Sequence, residues 1–435
     1  MSDVAATAAA AEVIAIETVF LEQAKALCMG GELLPGGVEA LARRLQQAAE
    51  KQQPLRVKLG LDPTRPDLHL GHTVVLRKLR MFQDLGHQAV LIIGDATAMI
   101  GDPSGRNVTR PPLTEEEVLA NAQTYLDQAA KVLDVRKAEI VRNSQWLSPM
   151  TLNDFLRLAA KVTVAQIMVR DDFQKRYAEN RPIALHEIFY PLMQGYDSVM
   201  VRADIELGGT DQRFNNLMGR ELQQAYATAS DPQPMEPQMV LLMPLLEGTD
   251  GKTKMSKSYP EHCINLTDSP SEMYGKLMSI PDAMIIRYEA LLTPVTAEQV
   301  AQHQRAMQLP AAQGGINPRD LKAMLAKWMV GQYHSQEAAT EAETQFVQQF
   351  RNKEIPQEIP ETTLNANMPH KLIDVMADYE LAPSKTEARR LIQGGGVKLD
   401  GQNKVTDPEA VLNGAEGQSV VLQVGKRKFL RLYFR

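Results

Sequence analysis

Leu55, Val57, Leu59 and Leu61 alternate with Arg56 and Lys58, and this period of two predicts a strand. After a loop rich in Pro, Asp and His, Val75, Leu76, Leu79 and Phe82 recur at helical spacing, and Gly86 supplies the stop. Residues 89–93 are an unbroken apolar run, which predicts a buried parallel strand. Strand, helix and strand with loops at the carboxyl ends form the nucleotide-binding half of a doubly wound sheet. Upstream, residues 14–53 read as largely helical.

Downstream, a helix is predicted over residues 115–132, with Thr114 as cap and Glu117 completing a capping box. Residues 137–180 break the strand–helix rhythm with a helical stretch (152–168) and a charged one (170–181). They read as an insertion between the two halves of the sheet and as a dimer surface. The second half resumes at Leu185. Tyr190, Gln194 and Asp197 fall on one helical face, facing either solvent or a polar site, and Pro191 should kink the helix or lie near its start. Residues 201–207 and 239–246 are candidate strands. Residues 282–350 are helical, and residues 352–369, with Pro356, Pro360 and Pro369, read as a linker. Beyond it, Leu372, Ile373, Val375 and Met376 supply one helical face. Ser384 and Glu387 open a second helix, Gly394-Gly395-Gly396 ends it, and a hairpin strand follows.

The expected architecture is therefore α/β. A doubly wound, Rossmann-like parallel sheet (51–250) follows an N-terminal helical extension (1–50) and carries the 137–180 insertion. A helical domain (251–351), the linker and a small α+β C-terminal unit (370–435) complete it. A length of 435 residues allows several such domains. The net charge of −6 means that any nucleic acid must be held by a local basic patch. Lys385, Arg389, Arg390, Lys398, Lys426, Arg427 and Lys428 supply one in the C-terminal unit, readable as an RNA footprint or as a solvated face. Only Cys28 and Cys263 are present, so no disulfide framework or metal cluster is expected, which suits a reducing cytoplasm. No signal peptide and no membrane span is read.

Three loops carry candidate chemistry. His69 and His72 flank Gly71 at a helix start, where free N–H groups and the helix dipole suit an anion; surface histidines are the alternative. Gly101-Asp102-Pro103-Ser104-Gly105 precedes Arg106 and Arg110. Gly208-Gly209-Thr210-Asp211-Gln212 ends a candidate strand, where Asp211 could bond a ribose. A fourth loop, with Lys252, Lys254 and Lys257, suits a polyphosphate or is merely solvated.

Together these motifs resemble a known family. His69-Leu70-Gly71-His72 and Lys254-Met255-Ser256-Lys257-Ser258 resemble the HIGH and KMSKS signatures of class I aminoacyl-tRNA synthetases. Gly60-Leu61-Asp62-Pro63-Thr64, the Gly101 loop, the Tyr190/Gln194/Asp197 pattern and the Gly208 loop look like bacterial tyrosyl-tRNA synthetases. The C-terminal unit resembles an S-four RNA-binding fold. The resemblance covers the chain from about Leu55 onward. It implies two steps, formation of tyrosyl-adenylate from L-tyrosine and magnesium–ATP, then transfer to tRNA(Tyr), by a cytoplasmic homodimer. Thr64, His69, His72, Lys254, Lys257, Arg106 and Arg110 would serve the phosphates, and Gly60, Asp62, Gly209, Asp211 and Lys257 the nucleotide. Thr97, Asp102, Tyr190 and Gln194 would surround the substrate ammonium, with Gln212 near its carboxylate and Asp197 on the phenol hydroxyl. No protein-bound metal is implied.

Three departures stand out: Lys58 replaces a usual tyrosine, Asp95 a common glycine and Glu206 a common glutamine. With the full KMSKS form they suggest the second bacterial subtype. The rival readings are a tryptophanyl-tRNA synthetase, a small nucleotidylyltransferase and a synthetase-derived RNA-binding factor without catalysis.

Overall fold

The computed structural model describes residues 16–102, 114–227, 235–256, 259–350, 359–401, 403–425 and 428–435. The chain forms two compact units, one up to Ser335 and one from Gln336.

In the first unit a six-stranded sheet has the order β1-β6-β5-β2-β3-β4, with β1 Glu32–Leu34, β2 Arg56–Leu61, β3 Gln88–Ile93, β4 Glu139–Arg142, β5 Ile205–Gly209 and β6 Met239–Met243. β2 to β6 run parallel and β1 is antiparallel to β6. β2 sits where the winding reverses, with β3 and β4 on one side and β5 and β6 on the other. In such sheets the crevice beyond the carboxyl ends at that reversal receives ligands. β3 and β6 are buried almost along their whole length, as parallel strands covered on both faces should be.

Several boundaries differ from expectation, each for a local reason. β1 interrupts the predicted helical stretch; three residues between Gly30-Gly31 and Pro35 carry no periodic signal. β4 belongs to the sheet although it lies within 137–180. As an edge strand it has only a half-buried, alternating pattern. The 152–168 stretch is two helices, Leu152–Ala159 and Val164–Met168, because Thr163 caps the second. Pro191 lies inside Leu185–Met200, and the strand expected at 201–207 is Ile205–Gly209, since Val201 and Ala203 still donate back to Asp197 and Ser198.

The second unit holds a five-stranded sheet of order β10-β9-β12-β13-β7, from β7 Glu361–Leu364, β9 Val397–Leu399, β10 Asn403–Val405, β12 Ser419–Val424 and β13 Lys428–Phe434. A small ribbon pairs β8 His370–Lys371 with β11 Val411–Leu412. β7 comes from the proline-rich stretch expected to be linker, and its partner β13 is parallel and distant in sequence. Helices Leu372–Asp378 and Lys385–Gln393 contribute Leu372, Met376, Ala388 and Ile392 to a core shared with Leu422, Leu432 and Phe434. Ser384 caps the second helix, but Glu387 turns to Arg390 instead of closing the box.

Helices Leu185–Met200 and Arg213–Tyr226 pack backbone to backbone in the first unit. A Cβ on Gly219 would sit 2.6 Å from Ser198 Oγ and 2.7 Å from Gln238 Nε2. Both atoms belong to buried residues that bond Glu206, so neither can retreat freely. Gly219→Ala should therefore lower unfolding free energy by about 1–3 kcal/mol, the usual cost of overpacking. Urea unfolding followed by circular dichroism measures it.

Candidate active site

The helix Leu70–Asp84 begins with a reciprocal cap made of histidines. His69 Nδ1 accepts from the Gly71 N–H (3.1 Å), and His72 Nδ1 accepts from the His69 N–H (3.2 Å). A neutral ring whose Nδ1 accepts carries its proton on Nε2. Both imidazoles are thus fixed as Nε2–H donors beside a helix N-terminus, with ring centroids 4.0 Å apart. The Leu70 N–H donates to Ile264 O and the Leu266 N–H to Leu68 O, so the segment after the lysine loop is stitched to the histidine loop. On the other side of that loop, the Met255 N–H donates to Leu246 O, and Asp250 accepts from Lys252 N, Thr253 N and Thr253 Oγ1. These bonds, the Thr253 hydroxyl first, hold the Asp250 carboxyl down at about 2. Lys254 Nζ reaches across to Asp211 Oδ2 at 2.6 Å.

The crevice floor centres on Asp62, just past β2. Thr97 Oγ1 donates to its Oδ1 and Tyr190 OH to its Oδ2, both at 2.8 Å. Burial, then the charges of Asp62 and Asp102, push the Tyr190 phenol well above its ordinary range, so it stays a donor. Close approach at β3 is required: a Cβ on Gly94 would lie 2.1 Å from Asp62 Oδ1 and 2.4 Å from Thr97 Oγ1. Gln212 Nε2 donates to Asp102 Oδ2 (2.7 Å), and Asn215 Nδ2 joins Gln212 Oε1 (3.0 Å) to Gln194 Oε1 (3.1 Å).

Asp197 lies at the buried end. Trp146 Nε1 donates to its Oδ1 (2.8 Å) and Asn143 Nδ2 to its Oδ2 (3.3 Å). Asn143 is fully buried, also donates to Thr97 Oγ1 (3.0 Å) and accepts from the Ala96 N–H (3.0 Å). Tyr190, Asp62, Thr97, Asn143, Asp197 and Trp146 therefore form one continuous hydrogen-bonded chain. Burial pushes the Asp197 carboxyl up to about 7, against the nearby Lys58 charge and the Trp146 and Asn143 bonds, which favour the anion; Glu206 pushes it further up.

The structure thus brings Thr97, Asp62, Tyr190 and Asp197 onto one chain. Gln194, Gln212 and Asp102 share a second cluster, and Lys254 meets Asp211. Asp62, expected to serve the nucleotide, is bonded to two residues expected to serve the amino acid. Thr64 donates its N–H to Asp62 O in the same turn, while Gly60 lies exposed at the end of β2 and Gly209 closes β5. Arg106, Arg110, Lys257, Lys426 and Arg427 lie outside the described residues. Asn143, Trp146 and Asn215 were missed by sequence reasoning. The one available signal was Trp146 itself, one of only two tryptophans in the chain.

All three departures have partners. Lys58 bonds Glu206 Oε1 (2.9 Å), and Asp95 accepts from Ser144 N (2.9 Å) and Ser144 Oγ (2.7 Å), fixing the turn that carries Asn143 and Trp146.

Four of the expected RNA-facing cations are engaged within their own unit. Lys385 meets Asp374 (2.9 Å), Arg389 meets Glu409 (3.0 Å), and Arg390 pairs with Glu387. Lys428 donates to Glu380 O (2.7 Å), and Lys398 is half-buried on β9. Among the described residues no group of three or more His, Cys, Asp or Glu could hold a metal ion.

A parallel sheet whose β2 leads to a histidine-capped helix, stitched to the segment after the lysine loop, agrees with the class I synthetase signatures. Residues 50–351 match the family described as tRNA synthetases class I (W and Y), and the chain belongs to it. Within that class it stands with the tyrosine–tRNA ligases. Residues 352–432 match the tyrosine–tRNA ligase SYY-like C-terminal domain. The tyrosine–tRNA ligase of Moorella thermoacetica is 51% identical over 395 residues, 91% of this chain and 92% of the relative. Tyrosine–tRNA ligase 2 of Vibrio vulnificus is 49% identical over 398 residues, 91% of this chain and 96% of the relative. The same fold occurs in a C-terminally truncated mitochondrial tyrosyl-tRNA synthetase of Aspergillus nidulans, at TM-score 0.60 and 20% identity over 76% of this chain and 94% of that one. It occurs also in the Archaeoglobus fulgidus tyrosyl-tRNA synthetase complexed with L-tyrosine, at TM-score 0.56 and 22% identity over 74% of this chain and 99% of that one.

The raised Asp197 carboxyl carries a sign. The folded protein holds this proton more tightly than the unfolded chain does. Asp197 therefore weakens folding progressively as pH rises from about 4 to about 7, with no further change above. Infrared titration should find a protonated carboxyl band that disappears with a midpoint near pH 7 and is absent from Asp197→Ala. Over that interval the wild type should lose on the order of 2–4 kcal/mol of unfolding free energy relative to the variant.

Proposed function

We propose that the chain activates L-tyrosine with ATP, giving tyrosyl-adenylate and pyrophosphate, and then transfers the tyrosyl group to the 3′ end of tRNA(Tyr). The observation that carries this reading is the continuous chain from Tyr190 and Asp62 to the buried Asp197, which offers polar groups to both ends of a tyrosine. A carboxylate substrate is already a nucleophile, so the first step needs no general base. It needs alignment and stabilisation of the charge that grows on the α-phosphate.

ATP enters as its magnesium complex. The Nε2–H groups of His69 and His72, together with Thr64 and the first-turn amides, donate to the phosphates from one side. Lys254 and Lys257 close from the other, and Arg106 and Arg110 assist the departing pyrophosphate. Gly60, Gly209 and Asp211 serve the adenosine, with Asp62 between nucleotide and amino acid. Tyr190, Thr97, Asp102 and Gln194 hold the substrate ammonium, and Gln212 its carboxylate. Asp197, oriented by Trp146 and Asn143, accepts the phenol hydroxyl. The C-terminal unit binds the tRNA through Lys385, Arg389, Arg390, Lys398, Lys426, Arg427 and Lys428. Lys385, Arg389 and Arg390 each exchange an internal carboxylate for a phosphate on binding.

The working form is a cytoplasmic homodimer. Leu152, Leu156, Val164, Val169 and Tyr177 are exposed on the insertion, an apolar surface of the kind that marks an interface. No helix among the described residues is long and apolar enough to cross a membrane.

Amino-acid-dependent ATP–pyrophosphate exchange tests the reaction. Tyrosine should support it, with tryptophan and phenylalanine far behind; equal rates with tryptophan would overturn the assignment. In that assay His72→Ala should reduce the adenylation rate about 10²-fold, as loss of one transition-state donor does, with a much smaller change in ATP affinity. Separately, Leu156→Glu should convert a dimeric mass in light scattering at micromolar concentration into a monomeric one, because a carboxylate there would be buried unpaired in the interface.

A further inference from the structure

Lys58 on β2 and Glu206 on β5 face each other across neighbouring parallel strands, with side chains 0% and 2% exposed. Withdrawing two charges from water costs several kcal/mol per ion, and two apolar residues would fill the same space more cheaply. The ammonium uses its three donors on Glu206 Oε1 (2.9 Å), Ser198 Oγ (2.8 Å) and the Gln194 carbonyl (3.1 Å). The last two bracket Asp197 on its own helix, Gln194 one turn before it and Ser198 immediately after. Glu206 Oε2 takes the Ser198 hydroxyl (3.0 Å) and the Gln238 amide.

We propose that the Lys58–Glu206 pair is a specificity-determining device in which Lys58 positions Asp197 and acts as its fixed counter-charge, while Glu206 holds Lys58 and limits how much of that charge Asp197 receives. Neither residue touches the substrate; both act through Asp197. The inference rests on the reading of Asp197 as the acceptor of the substrate hydroxyl. The groups facing that carboxylate are Lys58 from β2, Glu206 from β5, Tyr190 from the same helix, and the neutral donors Asn143 and Trp146 from the segment after β4. Burial favours the protonated acid, Lys58 opposes burial, and Glu206 opposes Lys58. The two members of the pair therefore act on Asp197 with opposite signs, and Lys58 also holds the helix on both sides of it through the Gln194 carbonyl and Ser198.

The test uses the full-length enzyme and kcat/KM for tyrosine and phenylalanine in pyrophosphate exchange, from about pH 5.5 to about pH 9. In the wild type the tyrosine-to-phenylalanine ratio should rise with pH as Asp197 ionises. Lys58→Met should move that rise to higher pH, by about one pH unit or more, with a roughly tenfold lower ratio below the midpoint. Glu206→Gln should move it to lower pH. Displacement of both variants in the same direction, or of neither, overturns the inference. Asp197→Ala run alongside separates the two levels of the argument. If it collapses the ratio while the pair variants fail to diverge, only the inference falls. If it leaves the ratio unchanged, the reading of Asp197 falls as well. Should Lys58→Met not fold, the near-isosteric Glu206→Gln decides alone by the sign of its displacement.

Discussion

Parallel strands deliver their following loops to one edge of a sheet, and everything at the site depends on that constraint. β2 ends at Leu61 and hands on Asp62; β3 ends at Ile93 and hands on Gly94 and Thr97; β5 ends in the glycines before Asp211 and Gln212. Asp62 accepts from Thr97, just past the neighbouring β3, and from Tyr190 on the helix Leu185–Met200 that leads towards β5. A hairpin topology would send these loops to opposite ends.

The groups proposed to serve the reaction also hold the structure together. The histidines that cap the helix Leu70–Asp84 are oriented as donors by the capping bonds themselves. Asn143 fixes Ala96 and Thr97 with the same amide group that reaches Asp197. Such sharing lowers the number of ordered side chains that the site requires, and it means that a substitution at any one of them perturbs fold and chemistry together.

The legible part of the sequence was the part whose signals are local. β2, β3 and the helix after them declare themselves by period and by Gly86; Thr114 and Glu117 make the capping box they predict. Tyr190 and Asp197 share a helical face by their spacing alone, and the structure decides that this face is buried and not solvated. What could not be read is what distant partners impose. Lys58 and Glu206 are 148 residues apart, and each looks like an isolated anomaly until the strands pair. β1 and β7 are too short for periodicity and exist because β6 and β13 offer them ladders. Asn143 and Trp146 follow an edge strand with a weak pattern, so nothing local marks them as neighbours of Asp197. Asp95 belongs with them: it seemed a departure on one loop and is the anchor of another.

The Lys254–Asp211 contact changes what it means for this loop to meet an anion. The ammonium already has a carboxylate at 2.6 Å, and both groups are partly exposed. An arriving phosphate trades one partner for another instead of adding one, so the net gain is the difference between two ionic contacts. Added salt loosens the resting contact along with the new one, which leaves the balance less sensitive to ionic strength than an open lysine would be. On the proposed reading the loop would act as an ion exchanger with a built-in counter-ion.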